Sequence, residues 1–341
     1  MKNNKGWEMV KLGDICDFYG GQAIKKEDRS ENGMVPYYGS NGIVGFMDTH
    51  IFDGKYLITG QDGTLGTFYN VNGKFWASNH THVFRPKNDK PVLLNYLFYY
   101  LSTNFDAEKV RTGSCIPKIT LANIKDVQIP LPSLERQQQI VEAIDGWTNL
   151  AQSEEVSLQM LEKQMMFQVK EMGRGQARVK LGEVCDIKYG DKNTTHETTE
   201  LYPGIGGGVA PSSYVPNWNI EAYTPIVSRS GSAGHISRYP TKASAGSFAF
   251  VCLTKSDKVI ADYLYFAIKN EEEYIKTLPE GTVQKNMNRD VLRGVELQLP
   301  PLSEQQMLQS DFDEIRHKHA KIATYKAKAQ EAIQRLIPGA T

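Results

Sequence analysis

The sequence lacks most of the features that would assign it a chemistry. Its 341 residues hold four cysteines, Cys16, Cys115, Cys185 and Cys252. None sits in a CxxC pair, which excludes a zinc ribbon or a redox dithiol and leaves reduced, buried thiols as the expectation. No apolar run reaches the ~20 residues that span a bilayer; the richest, Pro91 to Leu101, contains Tyr96-Leu97-Phe98-Tyr99-Tyr100 and goes no further. The opening Met1 to Trp7 has no apolar leader, so a soluble cytoplasmic protein without a membrane partner is expected. Neither charge is in surplus, with 39 Lys and Arg against 39 Asp and Glu. Such a chain does not hold nucleic acid by bulk electrostatics alone.

Catalytic signatures are missing too. There is no GxxxxGK[ST] phosphate loop and no Asn/Asp-Pro-Pro-aromatic tetrapeptide of the kind amino-methyltransferases carry. Gly204 to Gly208 is glycine-rich but follows Tyr202-Pro203 and runs into Val209-Ala210-Pro211. That is the setting of a flexible loop rather than of a dinucleotide fold. His80-Thr81-His82, placed on a strand, puts two rings on one face, but a third ligand is missing and no metal is assigned. His317 and His319 lack the i, i+4 spacing of a helical ligand pair. No catalytic residue, metal or cofactor is therefore assigned to the chain.

What the sequence does have is a second copy of itself, offset by 168–169 residues. Val10-Lys11-Leu12-Gly13-Asp14-Ile15-Cys16-Asp17 returns as Val179-Lys180-Leu181-Gly182-Glu183-Val184-Cys185-Asp186. Ile58 to Gly66 returns, more loosely, as Ile226 to Gly234, and Ile124 to Gln138 as Leu292 to Gln306. Three ordered matches at nearly one offset indicate a tandem duplication.

Each copy has two parts. The first is rich in Gly, Tyr, Thr and Asn, with strands expected at Lys55 to Thr59, Thr67 to Val71, His80 to Phe84 and Phe248 to Leu253. Denser runs, Val92 to Ser102 and Ile260 to Lys269, predict one short helix per copy. In the second part Gly and Pro nearly vanish, and apolar residues fall at alternating steps of four and three. The first series is Ile140, Ile144, Trp147, Ala151, Glu154, Leu158, Leu161, Met165, Gln168, Met172. The second is Leu308, Phe312, Ile315, His319, Ile322, Lys326, Ala329, Ile333, Leu336. Both are heptad seams with polar interruptions. Ser303 and Gln306 predict a capping box, Gly173 and Gly175 a stop, and Pro338-Gly339 a second stop. A helix of about 35–40 residues, roughly 50–60 Å long, cannot bury such a seam by itself. Two in one chain pair most economically with each other, antiparallel about a pseudo-twofold axis, as a rod with a similar head at either end. The expected division is 1–132 (first head), 133–177 (first helix), 178–302 (second head) and 303–341 (second helix).

The heads carry loops suited to reading polar edges. The first copy offers Tyr38, Ser40 and Asn41, then Gln61, Asp62 and Thr64, then Asn79 and His80. The second offers Lys192 and Asn193, then Arg229, Ser230 and Ser232, then Gln284, Lys285 and Asn286. Asn and Gln can bond adenine bidentately, and Arg or Lys guanine. The same residue types also build turns in every protein. The framework repeats while loop contents differ, as where Gln61-Asp62 becomes Arg229-Ser230; this fits two heads with different targets, and also drift after duplication.

At this point the chain resembles the specificity (S) subunit of Type I restriction–modification systems over nearly its whole length. The resemblance rests on Trp7-x-x-Val10-Lys11-Leu12-Gly13-Asp14-Ile15 and its recurrence from Val179, and on Pro36-Tyr37-Tyr38-Gly39 followed by Gly60-Gln61-Asp62-Gly63. It rests also on Leu131-Pro132-Ser133-Leu134-Glu135-Arg136-Gln137 and Leu299-Pro300-Pro301-Leu302-Ser303-Glu304-Gln305. Tyr37-Tyr38-Gly39 has no clear second copy; Tyr202-Pro203-Gly204-Ile205-Gly206 is the nearest. The resemblance implies an α+β protein with two target-recognition domains in tandem, each followed by a long helix, the helices forming an antiparallel coiled coil. It implies a reader of a bipartite double-stranded DNA target that has no chemistry or cofactor of its own. Two modification (M) subunits, which carry S-adenosylmethionine and methylate adenine, dock on helices and domains; a restriction (R) subunit adds an ATP-driven nuclease where one is present. The rival readings are a coiled-coil adaptor that binds other proteins and a DNA-acting enzyme with a built-in recognition region. The chain's charge bears on this: Lys and Arg exceed Asp and Glu by two over residues 1–132, fall short by three over 133–177, balance over 178–302, and exceed by one over 303–341. No segment has the surplus to hold many phosphates, so the chain supplies sequence choice and partners supply most phosphate affinity.

Overall fold

Glycine turns bracket short β-branched and aromatic runs in both heads, and such runs pair as half-buried strands. The computed structural model describes every residue except 1–5, 26–29, 31–32, 64, 114–116, 192–195, 256, 282–284 and 338–341. The chain divides into two units, one of residues 1–151 with 324–341 and one of residues 152–323.

In the first unit a six-stranded sheet runs, in spatial order, Cys16–Gly20, Thr81–Pro86, Phe52–Gly60, Phe68–Ala77, Val35–Gly39, Gly42–Met47. Val35–Gly39 lies parallel to Phe68–Ala77, Tyr37 facing Trp76, and the other pairings are antiparallel. Alternation sends neighbouring side chains to opposite faces. Leu57 and Phe84 enter the larger core, with the helix Leu94–Asn104 and its buried Tyr96, Leu97 and Leu101. Ile58 and Val83 enter a smaller aromatic cluster with Tyr56 and Phe75.

The second unit repeats this plan with one break. The position of Phe68–Ala77 is taken by two short strands, Ile236–Ser237 and Ser244–Ala245, in separate sheets. Pro240 lies between them and Pro225 just before the facing strand Ile226–Ser228. Proline has no N–H to give a ladder, so pairing is weakened at both residues. Tyr223, at φ 62°, turns the chain there, its N–H donating to the Tyr239 carbonyl at 2.7 Å. A four-stranded and a three-stranded sheet result.

The first long helix is Leu134–Gly173, 40 residues. Ser133 caps it, its Oγ accepting the Arg136 N–H at 3.3 Å, and Gly175 follows at φ 80°. The second is not the single helix expected but Leu302–Gln306 followed by Gln309–Leu336. The predicted capping box is not made. The helix starts one residue before Ser303, with Pro301 as a cap that offers no side-chain bond. Pro338-Gly339 lies outside the described residues. In the first unit Ile140 and Ile144 share a core with Ala332 and Ile337, and Trp147 stacks on Tyr325. In the second, Leu158, Met165 and Val169 share one with Phe312, Ile315 and Ile322, and Glu154 meets Lys318 and Lys321. The start of one helix thus pairs with the end of the other in each unit, as two antiparallel helices must. Lys326, placed in the seam by its spacing, is exposed instead.

Cys16, Cys185 and Cys252 are free and buried; burial pushes the Cys16 thiol up to about 12. Cys115 lies outside the described residues. Among the described residues no helix is long and apolar enough to cross a membrane.

His82 supplies a test of the first unit. Its ring is buried, with Nε2 donating to the Ile119 carbonyl at 2.8 Å, and burial holds its pKa below the ordinary 6.5. The folded chain therefore resists a proton that the unfolded chain accepts. The stability this contributes is complete above pH ~6.5 and is lost as pH falls below it, by at most about 1.4 kcal/mol per pH unit for one proton. Unfolding midpoints measured between pH 8 and pH 5 should fall on acidification, and less so in His82→Gln.

Candidate nucleic-acid interface

Three loops distant in sequence meet at one edge of the first head. The hairpin joining Val35–Gly39 to Gly42–Met47 turns through Ser40 and Asn41, with Gly42 at φ 90°. Ser40 Oγ donates to the His80 carbonyl at 3.0 Å and to Asp62 Oδ1 at 3.4 Å. His80 Nδ1 lies 2.9 Å from Asp62 Oδ2. The Gln61 N–H donates to the His80 carbonyl at 2.8 Å, and the Ser78 N–H to the Tyr38 carbonyl at 2.8 Å. Tyr38, Ser40, Gln61, Asp62 and His80 are thereby gathered, with Asn41 and Asn79 exposed beside them. Gln61 commits its amide inward, Nε2 donating to the Thr81 carbonyl at 3.0 Å. Thr64 lies outside the described residues.

The order of these contacts decides what the cluster can do. Ser40 donates to a carboxylate and a carbonyl, not to the imidazole, so the Ser–His contact of a nucleophile triad is not made. The expectation that His80 and His82 share a strand face is corrected: His80 is in the turn before Thr81–Pro86 and exposed, while His82 is inside the strand and buried. Among the described residues no group of three or more His, Cys, Asp or Glu could hold a metal ion.

The second head reproduces the framework. The Met287 N–H donates to the Arg229 carbonyl at 2.7 Å, as the Ile119 N–H does to the Gln61 carbonyl at 2.8 Å. The bridge Glu280–Asn286 matches Thr112–Lys118. Gly231 and Gly234, at φ 71° and 87°, match Gly63 and Gly66 at 70° and 82°. Arg229 is thus brought beside Lys285 and Asn286, both exposed. Its guanidinium donates to the Ser247 carbonyl at 3.2 Å and lies 5.4 Å from the Tyr189 ring centre; Arg289 reaches the same ring at 5.5 Å. Ser230 is buried, and Ser232 turns its N–H to the Gly207 carbonyl at 2.8 Å. Lys192, Asn193 and Gln284 lie outside the described residues.

Two expectations change here. Gly204 to Gly208 is not a free loop. Gly204 and Ile205 end a strand, and the carbonyls of Gly207 and Gly208 accept from Ser232 N–H and Ser228 Oγ. The missing second copy of Tyr37-Tyr38 also becomes visible. Gly204 and Ile205 pair in parallel with Ser244 and Ala245 as Tyr37 and Tyr38 do with Trp76 and Ala77. Spacing alone did not single out Tyr189, Arg289 or Lys118. Applying the repeat offset to Asn286 would have found Lys118; for Tyr189 and Arg289 the repeat gives no signal, since their counterparts are Gly20 and Leu121.

The pattern described as the Type I restriction modification DNA specificity domain matches residues 4–163 and again 175–322. The chain belongs to this family. A protein of Haemophilus influenzae described as a type I restriction enzyme specificity subunit is 27% identical over 317 residues, covering 83% of this chain and 80% of that one. A type I specificity subunit described in Mycoplasma pneumoniae is 30% identical over 162 residues, 46% of this chain and 44% of that one, about the length of one repeat. The solved S subunit of a type I system from M. genitalium superposes with TM-score 0.60 at 15% identity, over 99% of this chain and 98% of that chain, and shares its fold. As a specificity subunit the chain is a DNA-recognition component without catalytic groups of its own.

Both heads depend on close backbone approach beside these loops. A Cβ on Gly21 would lie 2.1 Å from the Ser78 carbonyl oxygen, and one on Gly190 2.5 Å from that of Gly246. Neither neighbour can yield, because both are backbone. Gly21→Ala and Gly190→Ala should each cost about 1–3 kcal/mol, read as a lowered unfolding midpoint of the purified chain.

Proposed function

We propose that each head of the specificity subunit reads one half of a bipartite duplex target, and that the two long helices set the unspecific gap between the halves. The observation that carries this is a repeated backbone framework holding different side chains at the same edge. One head gathers Ser40, Asp62 and His80 there, the other Arg229, Lys285 and Asn286. An Arg or Lys at such an edge suits guanine, and an Asn suits adenine. In this reading Asn41, Asn79 and Lys118, with Lys192, Asn193 and Gln284, contact the duplex, whereas the amide of Gln61 and the buried Ser230 support their loops. Two heads on one face of B-DNA have half-site centres about one helical turn apart, ~10 bp.

Methyl transfer to adenine belongs to two M subunits that bring S-adenosylmethionine, and the assembly works in the cytoplasm, with an R subunit added where cleavage occurs. Neutral charge supports this division, since phosphate affinity then comes mainly from the partners. A docking surface is offered by the first long helix, where Val156, Met160 and Phe167 are 52%, 66% and 64% exposed. Their spacing puts them on one stripe, and exposed apolar stripes mark interaction surfaces.

Co-expression with an adenine methyltransferase subunit, followed by mapping of methylated adenines across a genome, should reveal one bipartite motif with a fixed gap. Methylation without this chain, or without any such motif, would sink the proposal. Exchanging residues 1–132 for another recognition domain should change one half-site and leave the other intact. Met160→Glu with Phe167→Glu should leave the chain's unfolding midpoint nearly unchanged, as exposed substitutions do, but reduce M subunit recovered in a pull-down at least tenfold, about 1.4 kcal/mol of binding.

A further inference from the structure

Among the described residues two glutamines are completely buried, Gln137 and Gln305, both at 0% exposure. A buried amide is costly unless its bonds are made, and both make the same set. Gln137 Oε1 accepts the Leu93 N–H at 2.8 Å, while Nε2 donates to the Pro91 and Pro132 carbonyls at 2.9 Å each. Gln305 Oε1 accepts the Ile260 N–H at 3.0 Å, and its Nε2 donates to the Lys258 and Pro300 carbonyls at 2.8 and 2.9 Å. Toward the head each amide acts as a neighbouring strand would, serving a C=O and an N–H two residues apart. Toward its own chain it holds the segment that leads into the long helix.

Each glutamine lies three residues before the first apolar seam residue, Ile140 or Leu308. It therefore stands where a leucine would extend the seam. A leucine would bury as well but could not choose an orientation; three directed bonds can.

We infer that Gln137 and Gln305 are positioning residues that fix the angle at which each long helix leaves its head, and through that angle the gap of the target. This rests on the reading of the helices as the gap-setting element. Leverage makes the angle matter. A 40-residue helix is about 60 Å long, so a tilt of roughly 4° at its root moves its far end by about 4 Å, more than the ~3.4 Å step between base pairs.

The full chain is co-expressed with methyltransferase subunits as wild type, Gln137→Leu and Gln305→Leu, and methylated sites are mapped. The expected result is that both half-site sequences persist while sites whose gap is one base pair longer or shorter become methylated. A single unchanged gap with methylation lowered evenly at all sites would mark the glutamines as merely structural and overturn the inference; so would a changed half-site. A wild-type motif without a fixed gap would instead overturn the gap reading itself. Where Gln137→Leu does not accumulate, Gln137→Met, which keeps the unbranched length without donors, is scored by the same criterion.

Discussion

A helix with one apolar seam is stable in water only when another surface covers that seam. In this chain the cover comes from within: Ile140 and Ile144 lie in one core with Ala332 and Ile337, and Met165 and Val169 in another with Phe312 and Ile315. Both cores continue into the heads, the first as far as Leu57 and Phe84 on the sheet, the second as far as Phe250 and Cys252. Each buried Ile, Val, Leu, Met or Phe among them contributes about 1.5–3 kcal/mol. A head cannot then be separated from its stretch of helix without opening its own core.

The duplication lets structure and readout be told apart inside one molecule. Bonds that recur at an offset of about 168 belong to the scaffold: Leu12 N–H to Val127 and Leu181 N–H to Val295, Lys87 Nζ to Gly13 and Lys255 Nζ to Gly182. Contacts without a counterpart distinguish the heads. The Asp62–His80 pair stands against the Arg229–Tyr189–Arg289 stack. Below the first head Tyr99 bonds Asp145, and below the second Asp262 holds both Arg238 and Arg316.

The repeat and the seams were legible because periodicity survives substitution: Glu154 and His319 interrupt the heptads without hiding them. Four strands were legible from their β-branched and aromatic runs, whereas Val35–Gly39 and Gly42–Met47, rich in Gly and Tyr, look like loop until their pairing is seen. The buried glutamines were not, because a polar residue at a seam position looks like one more interruption until its partners at Pro91 and Leu93 are known. The Ser303 capping box failed for a local reason, since Pro301 starts the helix one residue early. The edge clusters were half visible. Each loop could be named from its residues, but that His80 turns to Asp62 and that Ser230 turns inward depends on contacts made across the fold.

Pro225 and Pro240 have a consequence for how the second head can change. Where the first head threads Phe68–Ala77 through all ten of its residues as one strand, the second interrupts the equivalent path, and Ile220 meets Ala243 only as an isolated bridge. Strain introduced at the Gly206–Ser212 turn nevertheless reaches the strand Ile226–Ser228, through the Gly208 carbonyl that accepts from Ser228 Oγ. Ser228 follows Val227 directly, so a change of length in that turn is felt at the cluster of Val227, Phe250 and Tyr263. The broken strand of the second head therefore does not free this turn from the core.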